Sequence, residues 1–418
     1  MRKLIDAALV IIVSTCASAH ELEFDHVHVD GGWNAKAGFV SDSDIHARLF
    51  NTRGKSRETL NERAEWLATQ YDAKVSEESI ARAEKAKEKY GHAVTINSLL
   101  PCSVGIVGNT PATFRKALER NREANFTLSS STVFATYGQG PADKTVYEVV
   151  ADSDKVVSDL GLTKALSVDD IRRAKSEDSM AVVYNTQGSD FVIENLVDHA
   201  ARAHAHGIRV MNFVYNLNNA LAGGGSKQNQ GLTDMGRQWV QVAQANGILL
   251  DVSHSSNQTA IDAAAIATRP IIASHSNAQS LFNVSRNISD EAIKAIASTG
   301  GVICSSGVGL HLNADGEATP RRYLEHVLHV ADLVGKDRVC FASDYVHNVL
   351  DYYKKGLDKT DLYPPELGFG APTSNLAAEH IWHVVALLED EHDWTEEEIV
   401  GFLGENLMRV YQTSWEGS

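Results

Sequence analysis

Cysteine is scarce in this sequence, with four residues among 418. One of them lies within the first 19 residues, which we predict to be removed, so Cys102, Cys304 and Cys340 remain. An odd count this low excludes the class of small secreted folds that depend on a disulfide framework. At most one bridge forms and one thiol stays free, so stability must come from a hydrophobic core, which a chain of this length can build.

Positive charge is also in short supply. Lys and Arg number 38 against 54 Asp and Glu, and the formal net charge is −16. This imbalance argues against nucleic acid or anionic lipid as a partner, because both attract basic surfaces. The apolar run over residues 4–14 is far shorter than the roughly 20 residues that a membrane-spanning helix needs. We therefore expect no transmembrane segment.

The first residues have the pattern of a secretory signal peptide. A basic start and the short apolar run precede a small-x-small cleavage site at residues 17–19. We predict a signal peptide over residues 1–19, export to the periplasm or the exterior, and a single domain over residues 20–418. Two alternatives stay open, a lipoprotein anchored through Cys16 and a mature N-terminal helix.

From about residue 180 onward the chain repeats a helical stretch, a Gly or Pro, and a short apolar run that ends in polar residues. Such runs are typical of parallel strands buried on both faces. The runs are "MAVVYNTQG", "GIRVMNFVYN", "GILLDVSHS", "RPIIASHSN", "GGVICSSGVG" and "DRVCFASDY". Together with "LEFDHVHVD" near the N-terminus and one strand between residues 94 and 135, where "AVTINSLL" and "TLSSSTVFA" compete, they predict an α/β fold, a (β/α)₈ TIM barrel.

Two further segments complete this interpretation. Residues 55–90 are rich in Glu, Lys, Arg and Ala, which predicts one or two solvated helices inserted after the first strand. A Gly-rich loop over residues 221–232 is expected at the barrel mouth. A doubly wound open sheet is the alternative fold, but no Gly-rich phosphate loop follows the first strand.

Polar residues stand at the ends of the predicted strands. His28 and Asp30 close the first strand, and His254, His275 and Asp344 close later ones. In a barrel the C-terminal ends of all strands lie on one rim, so these residues converge on one site. Imidazoles and carboxylates in this number are a ligand set for a divalent metal, with zinc the first choice.

The second half of the chain resembles the membrane dipeptidase (renal dipeptidase) family, peptidase family M19, of the metal-dependent amidohydrolase superfamily. The resemblance spans roughly residues 207–411, and "HVHVDG" stands where the family has its HxD motif. It is carried by the ordered blocks "GLTDMGRQWVQVAQANGILLDVSHSS", "RPIIASHSNAQSL", "RNISDEAIKAIASTGGV" and "GENLMRVY".

This resemblance implies a binuclear zinc site. His28 and Asp30 would hold one ion, and His254 and His275 the other. Asp344 would shuttle the proton of the bridging water. Arg286, in "SRNIS", would bind the C-terminal carboxylate of a small peptide substrate through its planar guanidinium.

Two positions depart from the family pattern. Gln187 stands where the family has a glutamate that bridges both metals, and a neutral amide binds a cation less firmly than a carboxylate. We therefore expect one or two zinc ions, with the second site weakened by this change. Asp190 or Asn185 is a candidate for a substitute ligand near Gln187. Tyr215 replaces a histidine that steadies the scissile carbonyl, and it retains one hydrogen-bond donor.

Three functions compete at this point. The first is a secreted zinc hydrolase of dipeptides or related small amides. The second is a metal-dependent tailoring enzyme for an exported peptide, such as a siderophore precursor, which would explain the changes at Gln187 and Tyr215 together. The third is a catalytically inactive binding protein. Family members are often homodimers, so a homodimer is expected by analogy alone.

Overall fold

The computed structural model describes residues 52–136, 140–226, 228, 230–360, 363, 365 and 368–415. The helices of this part are α1 Arg57–Thr69, α2 Glu77–Tyr90, α3 Pro111–Glu123, α4 Val146–Asp159, α5 Val168–Ser176, α6 Leu196–Ala205, α7 Asp234–Ala245, α8 Asn257–Ile266, α9 Asp290–Ser298, α10 Gly309–Leu312, α11 Pro320–Val334, α12 Val349–Asp358, α13 Ile381–His392, α14 Glu396–Val400 and α15 Asn406–Trp415. Its strands are β1 Ile96–Leu100, β2 Leu128–Ala135, β3 Thr163–Lys164, β4 Ala181–Gln187, β5 Ile208–Asn212, β6 Leu249–Asp251, β7 Ile271–Ile272, β8 Ile303–Ser306 and β9 Val339–Ala342.

The strands form a curled parallel sheet. β1, β2, β4, β5, β6 and β7 pair in that order, β3 pairs with β4, and β8 and β9 form a second parallel pair. A bridge between Ala273 and Ile303 joins β7 to β8, and the Asp344 amide donates to the Leu99 carbonyl at 3.2 Å, between β9 and β1. Strand order that follows chain order without reversal is not that of a doubly wound sheet.

All six apolar runs after residue 180 are strands, as predicted. The expectation of only one strand between residues 94 and 135 is wrong, because both competing segments are strands, β1 and β2. Every residue of β1 is buried, as in the strands predicted from their apolar runs. The strand predicted at "LEFDHVHVD", residues 22–30, lies outside the described residues. In the described sheet β1 is the strand that pairs with β2 on that side.

The charged segment over residues 55–90 folds into two helices, α1 and α2, as predicted; whether a strand precedes them lies outside the described residues. Ser56 and Ser76 cap their N-termini by accepting a backbone N–H with the side-chain oxygen. One face of α1 is buried, through Leu60, Ala64 and Leu67, and packs on α12. The insertion is therefore part of the folded domain and not only a solvated excursion.

Two apolar layers hold the sheet. An outer cluster joins it to the surrounding helices and includes Val182, Leu250 and Phe341. An inner cluster is closed by α15 and includes the facing strand residues Ile96, Leu128, Ala181, Val210, Leu249 and Ile272. The carboxyl ends of the strands are left for polar side chains.

Among the described cysteines, Cys304 of β8 and Cys340 of β9 form a disulfide bridge, and they lie directly opposite in the parallel register. Cys102 is buried and free. One bridge with one leftover thiol is the arrangement that the cysteine count predicted. Within the described part of the chain, no helix is long and apolar enough to cross a membrane.

Candidate functional site

Predicted site residues from several strands meet at the carboxyl edge of the sheet. Gln187 ends β4, whereas His254 and His275 follow β6 and β7, and Asp344 follows β9. A cavity of about 120 Å³ opens there, and its lining includes Gln187, His254, Asp344, Tyr215 and Arg286. His275 lies behind this lining, with its Nε2 atom 3.0 Å from Nε2 of His254.

The hydrogen bonds of the two imidazoles determine where their protons are. His254 Nδ1 lies 2.7 Å from Asn216 Oδ1, which can only accept, so Nδ1 carries the proton. His275 Nδ1 lies 2.6 Å from the Ser274 hydroxyl, which gives its own proton to the carboxylate of Asp251. Nδ1 of His275 is therefore also the donor. Both Nε2 atoms are left with a lone pair.

Gln187 is oriented by a chain of hydrogen bonds. Its Nε2 donates to the Thr132 hydroxyl at 3.1 Å, and that hydroxyl donates to Asn185 Oδ1 at 2.9 Å. The amide oxygen of Gln187 is thereby turned toward His254, with Oε1 3.0 Å from Nε2. Gln187 is 5% exposed, so water does not compete freely for this oxygen.

His254 Nε2 thus lies 3.0 Å from each of two further acceptor atoms, His275 Nε2 and Gln187 Oε1, without a hydrogen between them. Neighbouring lone pairs repel, and a cation is the group that would satisfy all three. Each imidazole also has the outer hydrogen bond that metal-binding histidines usually make. In the described residues no group of three or more His, Cys, Asp or Glu is arranged to hold a metal ion, so among these residues the third donor beside the two histidines is Gln187. The donor set fits one divalent cation.

Three residues of the site have a left-handed backbone conformation. Asn216, His254 and Asp344 have φ of +60°, +67° and +51°. This region is costly for residues other than glycine and persists where the surrounding structure enforces it. Strain concentrated at the polar residues of one pocket indicates a functional site.

Asp344 and Arg286 form the charged part of the pocket. Burial raises the pKa of the Asp344 carboxyl to about 6, although Arg286 and a hydrogen bond from the Ser306 hydroxyl at 3.1 Å act in the opposite direction. Arg286 donates through Nη2 to the carbonyl of His275 at 3.3 Å. A carboxyl with a pKa near neutrality is suited to exchange a proton.

Burial lowers the pKa of both His254 and His275 well below the ordinary value, and the nearby Arg286 guanidinium lowers them further. Both rings are therefore neutral, as metal ligands must be. His311, on the short helix α10, is a residue that sequence reasoning missed. It lines the same cavity, and burial and Arg286 lower its pKa as well. It lies five residues after the end of β8, where no hydrophobic periodicity marks it as a site residue.

The remaining predicted residues are distributed as follows. The Tyr215 ring stacks on His254, with centroids 4.2 Å apart. The suggested substitute ligands are engaged elsewhere: Asn185 bonds to Ser130 and Thr132, and Asp190 accepts from Thr136. His28 and Asp30 lie outside the described residues, and their metal-binding role stays a prediction.

A curled parallel sheet with polar side chains gathered at its carboxyl edge is the arrangement of the barrel amidohydrolases. Within that class, residues 145–366 match the family model described as membrane dipeptidase, peptidase family M19. The chain belongs to this family.

Relatives agree with this assignment. A dipeptidase, tcpJ, from Claviceps purpurea (strain 20.1) is 28% identical over 198 residues, which is 46% of this chain and 46% of the relative. The chain thus spans about half the length of that relative.

Solved structures share the fold. An amidohydrolase from Pseudomonas aeruginosa superposes with a TM-score of 0.68 at 21% identity, over 79% of this chain and 99% of the other. A metallo peptidase from Rhodobacter sphaeroides, liganded with a phosphinate mimic of the dipeptide L-Ala-D-Ala, superposes with a TM-score of 0.60 at 17% identity, over 77% and 99%.

Proposed function

We propose that this protein is an exported zinc-dependent hydrolase of dipeptides or related small amides. The observation that carries the proposal is the convergence of His254 Nε2, His275 Nε2 and Gln187 Oε1, three acceptors within reach of one cation. The phosphinate dipeptide mimic bound to the Rhodobacter metallo peptidase supports a dipeptide-like substrate. The family membership supports a metal-assisted hydrolysis.

His254, His275 and Gln187 would hold the metal. Two imidazoles and a carbonyl oxygen suit zinc better than the hard cations, which prefer oxygen alone. A bound zinc ion would supply a water of lowered pKa and would polarise the substrate carbonyl. One ion accounts for all three described donors; a second, held by His28 and Asp30, stays a prediction.

The residues of the chain perform the other steps. Asp344 accepts a proton from the attacking water and passes it to the leaving amine, a role that suits a carboxyl whose pKa burial raises above the ordinary value. Arg286 binds the C-terminal carboxylate through two parallel N–H groups. Tyr215, stacked on His254, donates its hydroxyl proton to the substrate carbonyl oxygen.

The proposal includes a complete eight-stranded barrel and export. Eight strands, β3 excepted, follow one another around the sheet, and hydrogen bonds at both sides of the β8–β9 pair support closure. The Cys304–Cys340 bridge supports export, since disulfides persist in oxidising compartments. Cell fractionation, with the N-terminus of the mature chain sequenced, tests the predicted cleavage near Ala19.

Metal analysis tests the proposed site. The protein, purified without added metal, should contain about one zinc per chain, and His254→Ala and His275→Ala should each lose zinc and dipeptide hydrolysis together, because few donors are available. His329→Ala is the matched control, since this histidine pairs with Asp290 away from the cavity. Unchanged zinc in both cavity variants would refute the site.

A further inference from the structure

One wall of the cavity takes no part in the proposed chemistry and is made of tyrosines. Tyr71 follows α1, and Tyr352 and Tyr353 lie on α12; all three line the cavity. We call these three residues the tyrosine wall. Their rings contact one another, with centroids 6.0 Å apart for Tyr71–Tyr353 and 5.4 Å apart for Tyr352–Tyr353.

The tyrosine wall is held in place by the packing of the helical insertion on α12. The Tyr71 hydroxyl accepts the amide N–H of Val346 at 2.9 Å. Tyr71 and Tyr353 are also buried in one apolar cluster with Leu60 of α1 and Leu357 of α12. The wall is therefore built before a substrate arrives, which reduces the entropy cost of binding.

The wall adjoins the polar part of the site. Tyr352 lines the same cavity as Asp344 and Tyr215. Burial raises the pKa of its hydroxyl well above the ordinary value, and Tyr215, Tyr353 and Asp344 add to the effect. A substrate held beside Asp344 would thus place an adjacent group against the Tyr352 ring.

The charges of the lining select the kind of group that fits. Among the described lining residues, the aspartate and arginine side chains are those of Asp344 and Arg286, and both belong to the polar part. An anionic substrate side chain against the ring faces of the tyrosine wall would lose water and meet the negative side of each ring's quadrupole. An apolar ring would instead bury its surface and contact other rings in the edge-to-face and offset geometries that aromatic pairs prefer.

We propose that the tyrosine wall is a subsite for a bulky apolar or aromatic side chain of the substrate. The inference rests on the proposed function for the identity of the ligand as a small peptide. It assigns a role to the helical insertion, which supplies Tyr71 and supports Tyr353.

Paired peptides test the subsite. Wild type should hydrolyse Phe-Gly or Gly-Phe at least tenfold faster, by kcat/KM, than Ala-Gly and Gly-Ala, and Glu-containing dipeptides should be slowest. In Tyr352→Ala the ratio of kcat/KM for Phe peptides to kcat/KM for Ala peptides should fall at least tenfold. Tyr352→Leu should retain part of the preference for Phe peptides. Tyr147→Ala is the matched control, because this buried tyrosine packs on Phe191 and does not line the cavity.

Calorimetric binding of the same four neutral peptides separates the two proposals. If wild type hydrolyses none of them but binds a Phe peptide at least tenfold more tightly than its Ala counterpart, the proposed function fails and the subsite stands. If hydrolysis is efficient with no preference for Phe, the subsite is refuted and the function stands. No detectable binding of any peptide, or an equal preference in folded Tyr352→Ala, also refutes the subsite.

Discussion

The two sides of the cavity are built by different kinds of structural element. The polar side consists of residues at the ends of strands, such as Gln187, His254 and Asp344, whose backbone the sheet fixes. The tyrosine wall comes from α12 and from the end of the helical insertion, outside the sheet. Strand ends position reacting groups rigidly, whereas helices and loops around them can vary without loss of the core. The polar side is therefore suited to the chemical step, and the tyrosine wall to the selection of substrates.

Asp344, on the polar side, is the residue whose replacement should cause the largest loss of activity. Asp344→Asn should lower kcat/KM for dipeptides by about 10²–10⁴-fold, the range typical of a lost acid–base residue. The free energy of unfolding at pH 8 should stay the same or rise, because a charged carboxylate no longer has to be buried. Steady-state kinetics and chemical denaturation check both, with the exposed Asp169→Asn as control.

The pH dependence of wild type belongs to the same test. Burial raises the pKa of Asp344 above the value of a free carboxyl to about 6, so the carboxyl is protonated below that pH and can act as a base above it. kcat/KM should therefore rise with pH on a limb with a midpoint no higher than about 6, since a bound cation only lowers this pKa. The limb should vanish in Asp344→Asn, and its persistence would assign it to another group.

Arg286 should show a smaller effect. Arg286→Lys retains the charge but cannot make two parallel hydrogen bonds. The lost transition-state stabilisation should be roughly 1.5–3 kcal/mol, so kcat/KM for dipeptides should fall about tenfold to a hundredfold. For dipeptides with a C-terminal amide in place of the carboxylate, kcat/KM should fall much less. Arg172→Lys is the matched control, because Arg172 forms a two-bond pair with Glu405 at the surface. Equal losses on peptides and their amides would show that Arg286 does not bind the carboxylate.

The difference between the two sides also explains what could be predicted from the sequence. His254, His275 and Asp344 follow apolar runs, and parallel strands bring such residues to one edge whatever their separation in the chain. Tyr71 and Tyr353 meet only because α1 packs on α12, a contact for which the local sequence has no period. The same holds for Asn216 and Ser274, which orient the histidines through hydrogen bonds.

The second strand shows a different limit. Its two candidates, β1 and β2, exclude each other only if "LEFDHVHVD" is one of the eight strands. Both segments are buried almost throughout, and in the structure they pair with each other. A count of strands thus carries less information than the burial pattern of each segment.

Gln187→Glu should have the smallest effect on activity, and it is the one of these substitutions that should raise it. A carboxylate there would attract a cation that the amide leaves uncompensated; for unit charges about 4 Å apart the Coulomb energy is roughly 4 kcal/mol at an effective dielectric near 20. Part of this is lost, because Gln187 Nε2 donates to Thr132 and a carboxylate oxygen cannot, which costs about 1 kcal/mol. Gln187→Glu should therefore raise zinc content and increase kcat/KM on simple dipeptides by about tenfold for each 1.4 kcal/mol recovered.

The matched control for this change is Gln187→Met, which has similar length and no oxygen donor and should lose zinc. If Tyr215 has been selected together with Gln187, the gain on dipeptides should stay small until Tyr215→His is added, which would make the pair non-additive. Such coupling is expected because Tyr215 stacks on His254, whose Nε2 lies 3.0 Å from the Gln187 oxygen. Zinc per chain and kcat/KM for wild type, both single variants and the double variant decide the matter. If wild type already holds two zinc ions and Gln187→Glu changes neither quantity, the polar side of the cavity does not depend on this amide.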